Sequence, residues 1–159
     1  MNENNLEKII NNIVGDAIVK EVMSLKLAVK FIETVEEKAE EMGLAVVVAV
    51  SDASGRPIAV HCMDGAYHGS FDVAVNKTYT STAFQMSTAK LSRLCQPGQD
   101  LYGLQFSNNG KVMILGGGEP LMVGKTMIGA LGVSGGSAQE DSDLAAYGAS
   151  ALKEVIKCL

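Results

Sequence analysis

Two stretches of the chain set short apolar runs on either side of small, turn-forming residues. Residues 46–66 read VVVAVSDASGRPIAVHCMDGA, and residues 116–136 read GGGEPLMVGKTMIGALGVSGG. An apolar, β-branched run, a Gly/Pro/Ser turn and a second run form the pattern of a largely buried β-hairpin. Two such hairpins predict one antiparallel sheet. In the first, strands over 45–51 and 58–63 flank a turn in which Gly55 is free to take positive φ and Pro57 opens the second strand. In the second, 120–123 and 127–134 flank Gly124-Lys125, and two further strands are expected at 101–105 and 112–115.

Helical spacing surrounds the hairpins. Leu27, Phe31, Val35 and Ala39 share one face of a helix over 25–41 that ends at Gly43. A helix is predicted over 71–84, a shorter one over 88–94 that stops before Pro97-Gly98, and a last one from the capping box Ser137-Ala-Gln-Glu140 to about Cys158. Ahead of these, Leu6, Ile9, Ile10, Ile13, Val14 and Ala17 describe a short amphipathic helix. Gly15 and Asp16 weaken it, which divides the chain into an N-terminal helix and linker over 1–23 and a domain over 24–159. This order of elements has no βαβ series. It predicts an α+β layered domain, a central antiparallel sheet flanked by helices.

Composition narrows the function. At 159 residues, 47% apolar and 19% charged, the chain can bury an ordinary core. Its cysteines, Cys62, Cys95 and Cys158, are three in number and far apart, and read as reduced cytosolic thiols. A formal charge of −5, no tryptophan and 5% aromatics argue against nucleic acid as a partner. No apolar run is long enough to span a membrane and the N-terminus is rich in Asn and Glu, so a cytoplasmic location is expected.

Candidate chemistry is scattered. Gly116-Gly117-Gly118 lacks the Lys-Ser/Thr of a Walker loop and the helix of a dinucleotide fingerprint, so turns and close backbone approach account for it. The Ser134-Gly135-Gly136-Ser137 turn opens a helix, and its N–H groups are suited to a carboxylate or propionate. His61, Cys62, Met63 and Asp64 cluster ligand atoms, but strand alternation sends His61 and Met63 to one face and Cys62 to the other. His68 follows on a loop. Asp72, Asn76, Lys77 and Tyr79 lie on one helix as either a ligand-binding group or a capped, paired surface. No GxSxG nucleophile elbow is present.

The ordered motifs resemble the GlcG/HbpS family, the haem-degrading-type domain that also forms the C-terminal part of PduO-type corrinoid adenosyltransferases. The resemblance runs from about Ser24 to Leu159 and rests on Asp52, Gly55 and Met63-Asp64-Gly65-Ala66, on Asp72, Ala74, Lys77, Tyr79 and Thr80, on Gln96-Pro97-Gly98 with Leu101-Tyr102-Gly103, and on Gly116 to Leu121. His61 and Cys62 stand where arginine-type residues often precede the Met-Asp-Gly-Ala element, and the 25–41 helix has no histidine. The resemblance implies a profilin-like sheet, a homo-oligomer and an accessory ligand-binding role in small-molecule catabolism, with a tetrapyrrole, haem or corrinoid, as ligand. Under it, His61, His68 and Cys62 are the candidate iron ligands, and Lys77 with Ser134, Gly135, Gly136 and Ser137 the partners of the anionic groups. The adenosyltransferase domain of PduO is absent from this sequence. The alternatives are an enzyme acting on haem, a corrinoid or a small acid, and an assembly component without ligand. The 1–20 helix resembles peptides that direct cargo to the shell of a bacterial microcompartment.

Overall fold

The computed structural model describes residues 22–159; the amphipathic segment over 1–20 lies outside the described residues. Helix α1 (Leu25–Glu41) starts on Ser24, whose hydroxyl accepts the Leu27 N–H, and stops at Gly43, which takes φ +70°. Strands β1 (Val47–Asp52) and β2 (Pro57–Cys62) follow, then α2 (Ser70–Phe84) and α3 (Thr88–Leu94). After a long irregular segment come β3 (Gly118–Val123), β4 (Thr126–Ser134) and α4 (Ala138–Lys157), which opens on the predicted Ser137–Glu140 capping box.

The two hairpins join in one antiparallel sheet of order β2-β1-β4-β3. Alternation along its central strands divides the core. Val46, Val48, Val50, Leu131 and Val133 point to the face covered by α1 and α4, where they meet Leu27, Phe31, Ile32, Val35, Leu144 and Leu152. Val47 and Ala49 point the other way, to α2 and Ala74. The result is the expected α+β arrangement of helix, sheet and helix layers.

The two helical layers differ in kind. The α1/α4 side is a conventional apolar core, whereas α2 buries Ser70, Lys77, Thr78, Thr80, Ser81 and Thr82 with only Ala74 as a buried apolar residue. Its hydroxyls bond its own backbone: Thr78 Oγ1 donates to Val75 O and Thr80 Oγ1 to Asn76 O. Such a helix adheres by coming close. A Cβ at Gly132 of β4 would lie 2.1 Å from the Ala74 carbonyl oxygen, and one at Gly118 would lie 2.7 Å from Ser81 Oγ.

The strands expected at 101–105 and 112–115 are not formed. Residues 95–117 contain two short 3₁₀ turns, Leu104–Phe106 and Asn108–Gly110, joined by extended Ser107, and the second contains left-handed Asn108 and Asn109. Leu101 N–H bonds Leu94 O and so finishes α3, while Met113 N–H is taken by Thr80 Oγ1 of α2 instead of a strand partner. The apolar residues that suggested strands make a small core of their own, Val112, Leu101, Leu104 and Ile114 around Leu91 and Cys95.

Two glycines separate space from conformation. Gly132→Ala is expected to lower stability by on the order of 3 kcal/mol, because helix and strand backbones must part. Gly43→Ala, with nothing within 4 Å but φ +70°, should cost about 1 kcal/mol. Urea unfolding of both variants checks the ranking.

Candidate functional site

Lys77 is the most deeply buried ionisable group of α2, at 1% exposure. Its Nζ donates to Val133 O of β4 at 2.6 Å and to Asp141 Oδ2 of α4 at 2.7 Å. The other carboxylate oxygen, Asp141 Oδ1, accepts the Gly136 N–H at 2.9 Å. Burial holds the Lys77 amine below the ordinary lysine range, although the hydrogen bond and charge of Asp141 pull the opposite way. A Cβ at Gly117 would stand 2.8 Å from Nζ, so the glycine run closes the site from the remaining side.

Lys77 and the Ser134–Ser137 turn, expected to partner the anionic groups of a ligand, converge on a carboxylate, that of Asp141. That carboxylate belongs to the chain itself. Ser137 N–H is likewise taken, by Glu140 Oε2 at 2.8 Å, and Ser134 Oγ lies 3.2 Å from Ser70 Oγ. Gly135 packs against the lead into β1, where a Cβ would fall 2.5 Å from Ala45 O. Asp141 is the residue that sequence reasoning missed: an acidic residue in a first helical turn is commonplace, and nothing local ties it to a lysine 64 positions away.

The helix does not gather Asp72, Lys77 and Tyr79 into one group. Asp72 is exposed, Lys77 points inward, and the Tyr79 hydroxyl accepts from Asn108 Nδ2 at 2.8 Å. With Thr80, Tyr79 ties the irregular segment down on α2.

The histidines occupy different surroundings. His61 pairs with Val48 across β1 and so faces the α1 layer, where Nδ1 lies 3.2 Å from both carboxylate oxygens of Glu36. A bond there leaves Nε2 as the ring's remaining nitrogen. Cys62 pairs with Val47 on the opposite face and is exposed. Beside them a cleft of about 420 Å³ is lined by Glu36, Glu40, Cys62, Met63 and Asp64, a largely acidic set. His68 sits on the turn into α2, its carbonyl accepting the Phe71 N–H at 3.4 Å. The rings of Tyr67 and Phe71 on that turn are 74% and 45% exposed. Among the described residues no group of three or more His, Cys, Asp or Glu side chains is arranged to hold a bare metal ion. No described helix is long and apolar enough to cross a membrane.

Two predictions follow from the buried pair and the turn beside it. Asp141→Asn keeps an acceptor for Gly136 but leaves the Lys77 amine without its counter-charge, and should cost about 3–5 kcal/mol. Adding Lys77→Met should restore part of that loss, which a double-mutant cycle in urea measures. Glu140 is held below the ordinary glutamate range by the Ser137 N–H that it accepts. A depressed carboxylate stabilises the fold above its unfolded value and loses that contribution as pH falls through the folded one. The difference in thermal midpoint between the wild type and Glu140→Ala should therefore be present at neutral pH and narrow steadily on acidification below the ordinary glutamate range.

Comparison with known proteins places this architecture. The family model described as haem degrading protein HbpS-like matches residues 23–150. An uncharacterized 15.0 kDa protein of Citrobacter freundii, from the dhaT-dhaS intergenic region, is 39% identical over 77% of this chain and 87% of its own length. The corrinoid adenosyltransferase PduO of Salmonella typhimurium is 39% identical over 69% of this chain, which spans only 32% of that enzyme. Among solved structures, Klebsiella pneumoniae protein ORFY superposes with a TM-score of 0.80 at 36% identity, covering 82% of this chain and 90% of that one. The PduOC:heme complex superposes with a TM-score of 0.78 at 35% identity, covering 82% and 94%. With residues 23–150 matched by the family model and a relative 39% identical over most of both chains, the chain belongs to the HbpS-like family.

Proposed function

We propose that this protein is an oligomeric accessory protein that binds a tetrapyrrole, with haem the first ligand to test and a corrinoid the second. The similar PduOC domain is known in complex with haem, and the name of PduO refers to corrinoids. What carries the reading in this chain is His68, an exposed imidazole on one turn with the exposed rings of Tyr67 and Phe71. A haem needs an apolar surface for its macrocycle and a nitrogen or sulfur ligand for its iron, and this turn offers both. His61 fits less well. Its Nδ1 is tied to Glu36 beside the acidic cleft, where two propionates would meet Glu36, Glu40 and Asp64. Lys77 and the Ser134–Ser137 turn serve the fold in this reading, since Asp141 and Glu140 already fill them.

A turn of this kind covers one side of a flat ligand. A second copy of the chain completes the site, and the exposed Tyr67, Phe71, Tyr102 and Phe106 give the subunit apolar surface to bury in an oligomer. The amphipathic pattern over 1–20 supports placement in a bacterial microcompartment, with shell or cargo proteins as partners.

Haemin titration tests the ligand. The wild type should show a saturable Soret change, His68→Ala should shift the maximum and weaken binding at least tenfold, about 1.4 kcal/mol, and His61→Ala should leave the spectrum unchanged. No saturable change in the wild type would sink the haem reading, and displacement of haemin by cobalamin would place corrinoids in the same site. Steady loss of the Soret band under a reductant would instead favour an enzyme that degrades the ligand. Light scattering should give a mass well above the 16.7 kDa of one chain.

A further inference from the structure

The sheet ends in two edges, β2 and β3, and they are finished differently. On β3, Val133 N–H bonds Gly117 O at 2.8 Å, which by antiparallel alternation turns the main chain of Gly118 and Pro120 outward. Neither offers a donor. The Gly118 N–H is taken by Thr88 Oγ1 of α3 at 2.8 Å, Pro120 has no N–H, and a register shift between Leu121 and Met122 interrupts the ladder beyond.

On β2 the second half of the strand has none of these guards. Met63 N–H bonds Val46 O at 3.1 Å and Cys62 pairs with Val47, so the ladder to β1 runs through residues 59, 61 and 63. The N–H and C=O of Val60 and Cys62 therefore point away from the sheet. Among the described residues no hydrogen bond from outside the ladder reaches them. Every residue of β2 is at least partly exposed, whereas Val47 to Ser51 of β1 beside it are buried. After Pro57 the strand reads Ile-Ala-Val-His-Cys, with no lysine, carboxylate or internal proline to keep another strand away.

We infer that β2 pairs antiparallel with β2 of a second copy of the chain across a two-fold axis beside His61, which joins the two sheets into one. In that register the N–H and C=O of Val60 meet the C=O and N–H of Cys62 of the partner subunit, and the same exchange is made on the other side of the axis. An antiparallel edge rotated by half a turn presents an acceptor wherever it first presented a donor, so this edge is complementary to itself. Its shortness says what kind of partner fits. Pro57 and the register shift between Val50 and Ser51 end the free edge on one side, and the Asp64-Gly65 turn, with Gly65 at φ +88°, ends it on the other. The main-chain bonds of two residues are too few to order a flexible peptide, and suit a folded partner that brings apolar surface with it. A second copy does so: Val60 and Ala66 pack in the same small cluster on the α2 side, and Ala66 leads directly into the turn that exposes Tyr67 and Phe71. The inference rests on the oligomeric part of the reading above and names the surface that makes the oligomer.

Sedimentation of the full chain with Val60→Pro tests it. The proline ring removes an N–H that β1 does not use, so the variant should keep the far-ultraviolet circular dichroism of the wild type while the dissociation constant of the pairing rises on the order of a hundredfold. A wild-type oligomer and a Val60→Pro variant that associates equally well would overturn the inference and leave the oligomeric reading standing. A wild type that stays at the 16.7 kDa of one chain would overturn both. A second variant reads the register without depending on how the strand tolerates proline. In full-length Val60→Cys with Cys158→Ser, the introduced thiol stands opposite Cys62 of the partner subunit at the ~5.5 Å Cα separation of a hydrogen-bonded pair, within the span of a disulfide. Mild oxidation should give a covalent dimer. Either thiol alone, in Cys158→Ser or in Val60→Cys with Cys62→Ser and Cys158→Ser, lies diagonally across the axis from its own copy and should cross-link on the order of tenfold more slowly. No covalent dimer with both thiols present, or equal cross-linking with either alone, would overturn the inference.

Discussion

The amine of Lys77 cannot be buried alone, and the arrangement that satisfies it fixes the relation of three elements. Val133 O comes from the last turn-ward residues of β4, Asp141 from the first turn of α4, and Gly117 closes in from the approach to β3. Removing the charge from water is costly, so the partners must be in place together or not at all. The second oxygen of Asp141 then fixes Gly136, and with it the sharp passage from β4 into α4. The turn that resembles an anion-binding loop is thus an anion-binding loop in fact, with the anion covalently supplied.

What could be read from residues alone follows from how local each cause is. The hairpins, α1 with its Gly43 end, the short α3 that stops before Pro97-Gly98, and the Ser137–Glu140 cap all rest on signals within a few positions. Alternation also placed His61 and Cys62 on opposite faces correctly. The strand expected around Val112 failed because a distant hydroxyl, that of Thr80, claims the Met113 N–H, and the one around Leu101 because its N–H closes α3 on Leu94 O; a hydrophobic run carries no mark of either. Lys77 and the 134–137 turn were legible as partners of a negative charge, but the identity of the charge depended on α4 folding back across the sheet.

The motifs that carry the family resemblance are mostly architectural. Asp52 Oδ1 accepts the N–H groups of Ser54 and Arg56 to shape the first hairpin, and a Cβ on Gly55 would strike Thr82 Oγ1 at 2.7 Å. Thr80 and Tyr79 hold the irregular segment, and Thr88 Oγ1 accepts the Gly118 N–H at 2.8 Å. These residues specify a scaffold. His61, His68 and Cys62 take no part in these contacts: His61 lies against Glu36, and His68 and Cys62 are exposed.

The hydroxyl-lined underside of α2 has a further consequence for how the molecule comes apart. Burial of Phe31, Ile32, Leu131, Leu144 and Leu152 concentrates the hydrophobic free energy between the sheet and α1/α4. The opposite layer contributes little apolar area and relies on close fit and one charge pair, so its attachment is brittle: intact it excludes water, and a small separation forfeits most of what held it. Cooperativity is therefore unequal across the sheet. The layer least secured by apolar burial is thus α2 with the segment it restrains, and the layer most secured is α1 and α4 on β1 and β4.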